Sequence, residues 1–292
     1  MRGRPAAGTV HDAFSEEPDV QQIQGANVLL TGASKGIGVF IGQALAERGA
    51  NLVLVARSED LLAARVEALS RPGGRVVAIS ADLRDPDQVR GLVGRAEAAL
   101  GPIDILVNNA GVDPMGSFAT IDESDLREII DVKLLAPLLL TRQVLPAMIE
   151  RKRGHVVTIS SLSGKKGIPY EAVYTAANAG LVEWNNALRV ELEGSGVNSS
   201  VICPGFIRDV GLFAVHGVPA PRLAGSSSAQ QVALAVVRAI AKNRQELIVQ
   251  PMPTRPLLAL NALSPALGNS IIRLMGVVRL QRRLASEKAA SR

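Results

Sequence analysis

The stretch Thr31-Gly32-Ala33-Ser34-Lys35-Gly36-Ile37-Gly38 follows the apolar run Asn27–Leu30 and leads into a second apolar segment. Glycines in such a turn serve a tight strand-to-helix connection, which needs no ligand at all. They also let a dinucleotide pyrophosphate approach the backbone and the positive end of the following helix. The position after the first strand favours cofactor binding, and the predicted residues are Gly32, Ser34, Lys35, Gly36, Ile37 and Gly38.

The pattern outward from this turn is a regular alternation of apolar runs and helix-length segments. Runs that are apolar throughout are typical of parallel strands buried on both faces. The sequence therefore predicts an α/β fold, a Rossmann-like doubly wound parallel sheet of about seven strands flanked by helices. The predicted strands are 27–32, 51–56, 75–80, 103–108, 154–160, 197–204 and 246–250, and the helices are 36–48, 59–69, 86–99, 122–150 and 170–193.

The 292 residues are long enough for one large domain with extensions. We expect a flexible N-terminal arm over 1–24, the Rossmann-like domain over 25–250 and a C-terminal extension over 251–292. The single Cys203 excludes an intrachain disulfide, and with three histidines it leaves little material for a metal site, so we expect none. This cysteine usage indicates a reducing, cytoplasmic setting.

The net charge of +5 is concentrated in the C-terminal extension. From Pro251 onward there are seven basic residues and one acid, Glu287, which gives +6 and leaves the rest about neutral. A basic tail on a neutral domain argues against a nucleic-acid-binding body. It favours a local anionic partner, either a membrane surface or a neighbouring subunit.

The end of the second predicted strand decides which dinucleotide is preferred. An acid there would accept the ribose 2′-hydroxyl of NAD, but the sequence reads Ala56-Arg57-Ser58. The guanidinium of Arg57 suits a 2′-phosphate, and Lys35 adds a second cation on the same side. The alternative is that Arg57 is a solvated loop residue. The expected cofactor is NADP(H).

Several further motifs stand at fixed places after successive strands. They are TGASKGIG (31–38), Asp82-Leu83, Asn108-Asn109-Ala110-Gly111, Ser160-Ser161, Tyr174 thirteen residues beyond Ser161, and Pro204-Gly205. With these motifs the sequence resembles the short-chain dehydrogenase/reductase superfamily over about 25–250. The resemblance implies an oxidoreductase acting on a small carbonyl or alcohol substrate, with helices 122–150 and 170–193 forming the contact of a homodimer or homotetramer.

The resemblance also implies the role of each motif. Asp82 and Leu83 would flank the adenine, and Asn109, Ala110 and Gly111 would line the cofactor. Pro204 and Gly205 would border it, with Ile207 near the nicotinamide. Ser161 would hold the substrate carbonyl and Tyr174 would be the acid/base, while Tyr170 would line the pocket or pack. Hydride transfer to a ketone needs such a proton donor and a second hydrogen bond, because negative charge develops on the oxygen.

Two departures from the family pattern look reciprocal. The family expects a lysine four residues after the tyrosine, where this chain has Asn178, and an asparagine where this chain has Lys133. One interpretation is an exchange in which Lys133 supplies the missing cation to Tyr174 or the ribose. In the other, Lys133 points to solvent or pairs with Asp131 or Glu128, and the site is impaired. Asp209 stands where the family usually carries a threonine near the nicotinamide.

The substrate loop over about 206–228 mixes apolar residues with Gly, Pro and Ser, which suits a mobile lid over an apolar substrate. Beyond it, 266–284 is predicted as one amphipathic helix that docks on its own domain, on a second subunit or at a membrane surface. The sequence favours reduction of an apolar, lipid-like ketone or aldehyde. The alternatives are an NADP(H)-binding sensor or scaffold with little turnover, and a non-redox enzyme such as a dehydratase or isomerase.

Overall fold

The computed structural model describes residues 22–70, 74–112, 115–211 and 217–290, so most of the expected N-terminal arm lies outside the described residues. Seven parallel strands form one sheet in the order β3-β2-β1-β4-β5-β6-β7. This confirms the predicted doubly wound sheet. The strands are β1 (Asn27–Thr31), β2 (Asn51–Ala56), β3 (Val76–Ser80), β4 (Ile105–Asn108), β5 (Gly154–Ile159), β6 (Val197–Pro204) and β7 (Glu246–Val249).

Helices cover both faces of the sheet. Alternate residues of one strand face opposite layers, so that Leu30 of β1 packs in one core and Leu29 in the other. This is the reason the central strands are apolar throughout. The helices are α1 (Ile37–Ala46), α2 (Glu59–Leu69), α3 (Pro86–Leu100), α4 (Glu123–Ile130), α5 (Ala136–Glu150), α6 (Ala172–Glu191), α7 (Ala229–Ala241), α8 (Thr254–Leu263), α9 (Pro265–Leu274) and α10 (Val277–Ala290).

The strand order reverses beside β1, which pairs with β2 on one side and with β4 on the other. The connections after β1 and β4 therefore run to opposite faces and leave a crevice at the carboxyl ends of the strands. The glycine-rich turn and the Asn109–Gly111 motif both begin at this crevice.

The predicted long helix over 122–150 contains an irregularity. A π-helical turn, Asp131–Leu135, separates α4 from α5. By length and composition alone, Glu123–Glu150 could cross a membrane, with a mean hydropathy of 1.4 over its most apolar window. Its apolar residues Ile129, Leu140 and Val144 are instead buried against the domain, as in the core helix of an α/β fold.

The prediction of one tail helix over 266–284 is wrong. The structure has two helices there, α9 and α10, separated at Gly276, whose φ of +81° is readily adopted by glycine. A further helix, α8, precedes them. The three helices fold back over the domain instead of continuing as one rod.

Candidate functional site

The glycine-rich turn shapes a cradle in front of α1. A Cβ at Gly38 would lie 2.1 Å from the Gly32 carbonyl oxygen, so the turn is closed tightly there. At Gly36, which has a φ of +63°, a Cβ would meet nothing within 4 Å. None of the described side chains caps the N-terminus of α1. The turn thus leaves open space beside the positive end of a helix, which fits a phosphate group.

The threonine that ends β1 fastens the two halves of the crevice. The Thr31 hydroxyl accepts hydrogen bonds from the backbone N–H groups of Asn109 at 3.0 Å and Ala110 at 3.1 Å. The Asn109 side chain in turn donates to the carbonyls of Thr31 and Gly32. The Asn109–Gly111 motif is therefore held directly against the glycine-rich turn, as its predicted cofactor-lining role requires.

A small charge network surrounds Asp82, which the sequence predicts beside the adenine. Arg57 and Arg84 each approach the Glu128 carboxylate at 3.6 Å, and Arg84 also binds the Asp82 carboxylate. The hydrogen bond from Arg84 is the largest cause of a lowered pKa at Asp82. The Arg57 side chain is 52% exposed and Lys35 is exposed. Both cations are accessible to an anion, although Arg57 is not simply solvated.

Lys133 lies inside the protein, in the π-helical turn. It is 4% exposed, and its Nζ donates a 2.7 Å hydrogen bond to the Ile159 carbonyl at the end of β5. The same Nζ lies 6.0 Å from the centroid of the Tyr174 ring, and a Cβ at Gly111 would be 3.5 Å from it. The alternative of a solvent-exposed Lys133 is therefore wrong. An ammonium group stands among three predicted site segments.

Asn178 has structural contacts and supplies no charge beside Tyr174. It is fully buried, and its amide donates 2.9 Å to the Tyr174 carbonyl one turn earlier in α6. Its side-chain and backbone oxygens both accept from the Ser160 hydroxyl, at 3.2 and 3.0 Å. These bonds fix the helix carrying Tyr174 to the end of β5. Asn178 thus has the contacts of a residue that positions Tyr174.

Ser161 and Tyr174 line neighbouring pockets that share Glu171. The larger pocket, with about 850 Å³ of empty space including its mouth, contains Ser161 and is mostly apolar. Tyr174 lines the smaller one together with Tyr170. The Ser161 hydroxyl also accepts a 3.1 Å hydrogen bond from the Ser163 N–H, which orients it at the entrance to the short helix that follows β5.

The segment after β6 closes another side of the site. Gly205, which lines the large pocket, is pinned by a 3.1 Å bond from its N–H to the Val249 carbonyl, directly after Pro204. Ile207 is buried and bridges to Ser227. Asp209 pairs with Arg208 at 3.3 Å.

On the opposite side of the crevice Leu83 is buried next to Asp82. In the substrate loop, Leu212, Phe213 and Val215 lie outside the described residues.

The C-terminal helices form much of the pocket wall, and α10 docks on its own domain. Leu280 and Leu284 of α10 pack with Met115 and partly buried neighbours that include Tyr170 and Phe206. Polar contacts reinforce this packing. Gln281 donates 2.7 Å to the Glu171 carboxylate, and Arg282 donates 3.1 Å to the Tyr170 hydroxyl. Tyr170 therefore packs under the tail.

Sequence reasoning missed three of these groups. Arg84 stands two residues after Asp82, and a basic residue so close to a predicted adenine site was a usable signal. Glu171 precedes Tyr174 by one helical turn and lines both pockets. Gln281 is 110 positions from its partner Glu171, so no local pattern could have paired them.

Comparisons with known proteins agree with this arrangement. The sequence model of the short chain dehydrogenase family matches residues 26–214. The chain is 43% identical over 271 residues to the ketoacyl reductase HetN of a Nostoc species, covering 91% of this chain and 94% of that protein. It is 39% identical over 188 residues to the oxidoreductase UcpA of Salmonella typhimurium, covering 64% and 71%. A crystal structure of a metagenomic short-chain oxidoreductase in complex with NADP superposes with a TM-score of 0.69 at 32% identity, covering 80% of this chain and all of that one.

Proposed function

Because the chain belongs to the short-chain dehydrogenase family, we propose that it is an NADP(H)-dependent oxidoreductase that reduces an apolar ketone of the β-ketoacyl type. The observation that carries this proposal is the buried Lys133 ammonium 6.0 Å from the Tyr174 ring. It supplies a cation beside the proposed proton donor although position 178 does not.

The proposed cofactor site is the crevice between β1 and β4. The cradle before Gly36 would hold the pyrophosphate, with Asn109 and Ala110 along the side. Arg57 and Lys35 would take the 2′-phosphate, which an NAD molecule lacks. A structural neighbour of this chain was solved with NADP, which supports the same choice. When bound, NADPH supplies the hydride.

In this proposal the chain's own residues stabilise and protonate the substrate oxygen as negative charge develops on it. Tyr174 donates the proton that converts the developing alkoxide to an alcohol, and Ser161 donates a second hydrogen bond to the same oxygen. Lys133 favours the phenolate that Tyr174 becomes, because its positive charge is held in a site with little solvent. Asn178 and Ser160 keep the helix carrying Tyr174 in register with the end of β5.

The pocket that contains Ser161 suits an acyl chain. Its walls include Phe206, Met252, Leu258 and Ile271, and it has room for a substrate of medium size. The relative HetN is named a ketoacyl reductase. These observations favour a β-ketoacyl thioester or a similar apolar ketone over a sugar.

The test is NADPH consumption by the full-length protein against acetoacetyl and longer β-ketoacyl thioesters, simple ketones and aldehydes. Tyr174→Phe should lower turnover about 10²-fold or more and leave NADPH binding unchanged. Tyr170→Phe is the matched control, because it removes the chain's other phenolic hydroxyl, which binds Arg282 in the structure. Tight NADPH binding without consumption on any carbonyl would refute the reductase and favour a cofactor-binding sensor. Conversion of a substrate without NADPH consumption would favour the non-redox alternative.

A further inference from the structure

The outer faces of α8 and α9 expose large leucines. Leu260 and Leu263 lie one turn apart on α8, and Leu267 and Leu274 lie two turns apart on α9, so each pair shares a helix face. Leu263 is 85% exposed and Leu274 is 81% exposed. We call these four residues the leucine patch. Exposed apolar side chains grouped in this way mark interaction surfaces.

The segment that carries the leucine patch is strongly basic. From Pro251 to Ser286 the sequence contains five arginines and no acidic residue. Arg255, Arg273 and Arg279 are exposed, and none of the carboxylates in the described ranges forms an ion pair with them. Glu287, one residue further on, pairs with Arg283 and leaves a clear cationic excess in this segment. An apolar patch on such a segment is complementary to an anionic surface that also offers an apolar interior.

Other residues of the same two helices line the large pocket. Leu257 and Leu258 of α8 and Ile271 and Ile272 of α9 contribute to its wall. The leucine patch and part of the pocket wall therefore belong to the same two helices. A surface that binds the patch lies next to an apolar cavity.

We propose that the leucine patch and its arginines bind the surface of a lipid bilayer that contains anionic lipids. The leucines enter the boundary between head groups and acyl chains, and the arginines contact the anionic head groups. A second copy of the chain is the competing occupant. In a two-fold dimer the patch would face itself and bring arginines against arginines, which like-charge repulsion opposes.

The experiment is flotation of the full-length protein, without cofactor or substrate, with vesicles of phosphatidylcholine alone or mixed with phosphatidylglycerol. We expect binding to the anionic vesicles that weakens with added salt. Leu263→Glu/Leu274→Glu should reduce the bound fraction about tenfold or more. Leu61→Glu/Leu234→Glu, which changes two exposed leucines on α2 and α7, should bind like the unmodified chain.

A second pair of variants tests the charge. Arg273→Gln/Arg279→Gln should weaken vesicle binding, whereas Arg90→Gln/Arg127→Gln removes the same net charge from α3 and α4 and should not. Circular dichroism checks that each variant is folded. The proposal is overturned if the unmodified chain does not float with anionic vesicles, or if both tail variants bind like their controls. Loss of dimer by light scattering in the leucine variant, with vesicle binding intact, would assign the patch to a second copy. Because no substrate is present, failure here leaves the proposed reaction untouched.

Discussion

The Lys133→Met variant should lower reductase turnover about a hundredfold. Methionine keeps a long apolar side chain in the buried position but removes the charge. The Lys133 Nζ lies 6.0 Å from the centroid of the Tyr174 ring, and a unit charge at that distance contributes about 2.8 kcal/mol at an effective dielectric of about 20. That energy corresponds to about two powers of ten in rate when the charge develops in the transition state.

The assay is kcat and kcat/KM for a carbonyl that the unmodified chain reduces, followed by the pH profile of the reverse oxidation. Oxidation needs the phenolate, so loss of the cation should move the pH at which the oxidation rate is half-maximal to a higher value. The variant also leaves the Ile159 carbonyl without its Lys133 donor, at a cost of about 1–3 kcal/mol in stability. Simple destabilisation would not shift the pH midpoint. A variant within threefold of the unmodified kcat, with an unmoved profile, would refute the electrostatic role.

Three further predictions concern the cofactor, stability and assembly. In fluorescence titrations NADP(H) should bind at least tenfold more tightly than NAD(H), a difference of about 1.4 kcal/mol in binding free energy. Arg57→Asp should move the preference toward NAD, and equal affinities in the unmodified chain would contradict the prediction. Burial lowers the pKa of His155 to about 3, so an unfolded chain takes up this proton below about pH 6.5 while the folded chain does not. This group should therefore lower the free energy of unfolding by roughly 3 kcal/mol between pH 6.5 and 4. The free energy of unfolding of His155→Gln, measured with urea at each pH, should fall less steeply over this range, and an equally steep fall would count against the prediction. Light scattering should show a dimer or tetramer, because the segments from α4 to α6 expose Leu135, Ile149 and Val190, and a monomer at micromolar concentrations would contradict that assembly.

The sheet could be predicted from the sequence because its strands are buried on both faces. Runs such as Asn51–Ala56 are apolar at nearly every position, and helix-length segments separate them, which leaves few folds that fit. The glycine-rich turn could be predicted for a related reason. Its glycines stand where a Cβ would come within 2.1 Å of a backbone oxygen or where φ is positive, and these are local demands of the chain.

The direction of Lys133 could not be predicted from the sequence. A regular helix over 122–150 would assign each residue to a face by its position, but the π-helical turn Asp131–Leu135 shifts that assignment around Lys133 itself. The tail was predicted wrongly for a different reason. A helical pattern of apolar residues continues across Gly276, and the break depends on the positive φ that the docked α10 requires there. Contacts such as Gln281 with Glu171 arise from the tertiary fold alone.

If Lys133 performs the electrostatic task that the family assigns to position 178, a double-mutant cycle on these two positions will show it. Turnover is measured for Lys133→Asn, Asn178→Lys and the double variant, with NADPH affinity as the check on folding. Lys133→Asn should lower turnover about a hundredfold, and Asn178→Lys alone should raise it little, because two neighbouring cations oppose each other. The double variant should recover part of the loss. A hundredfold gain from Asn178→Lys alone, with Lys133→Asn near the unmodified rate, would contradict the claim and show that the natural site lacks its activating cation.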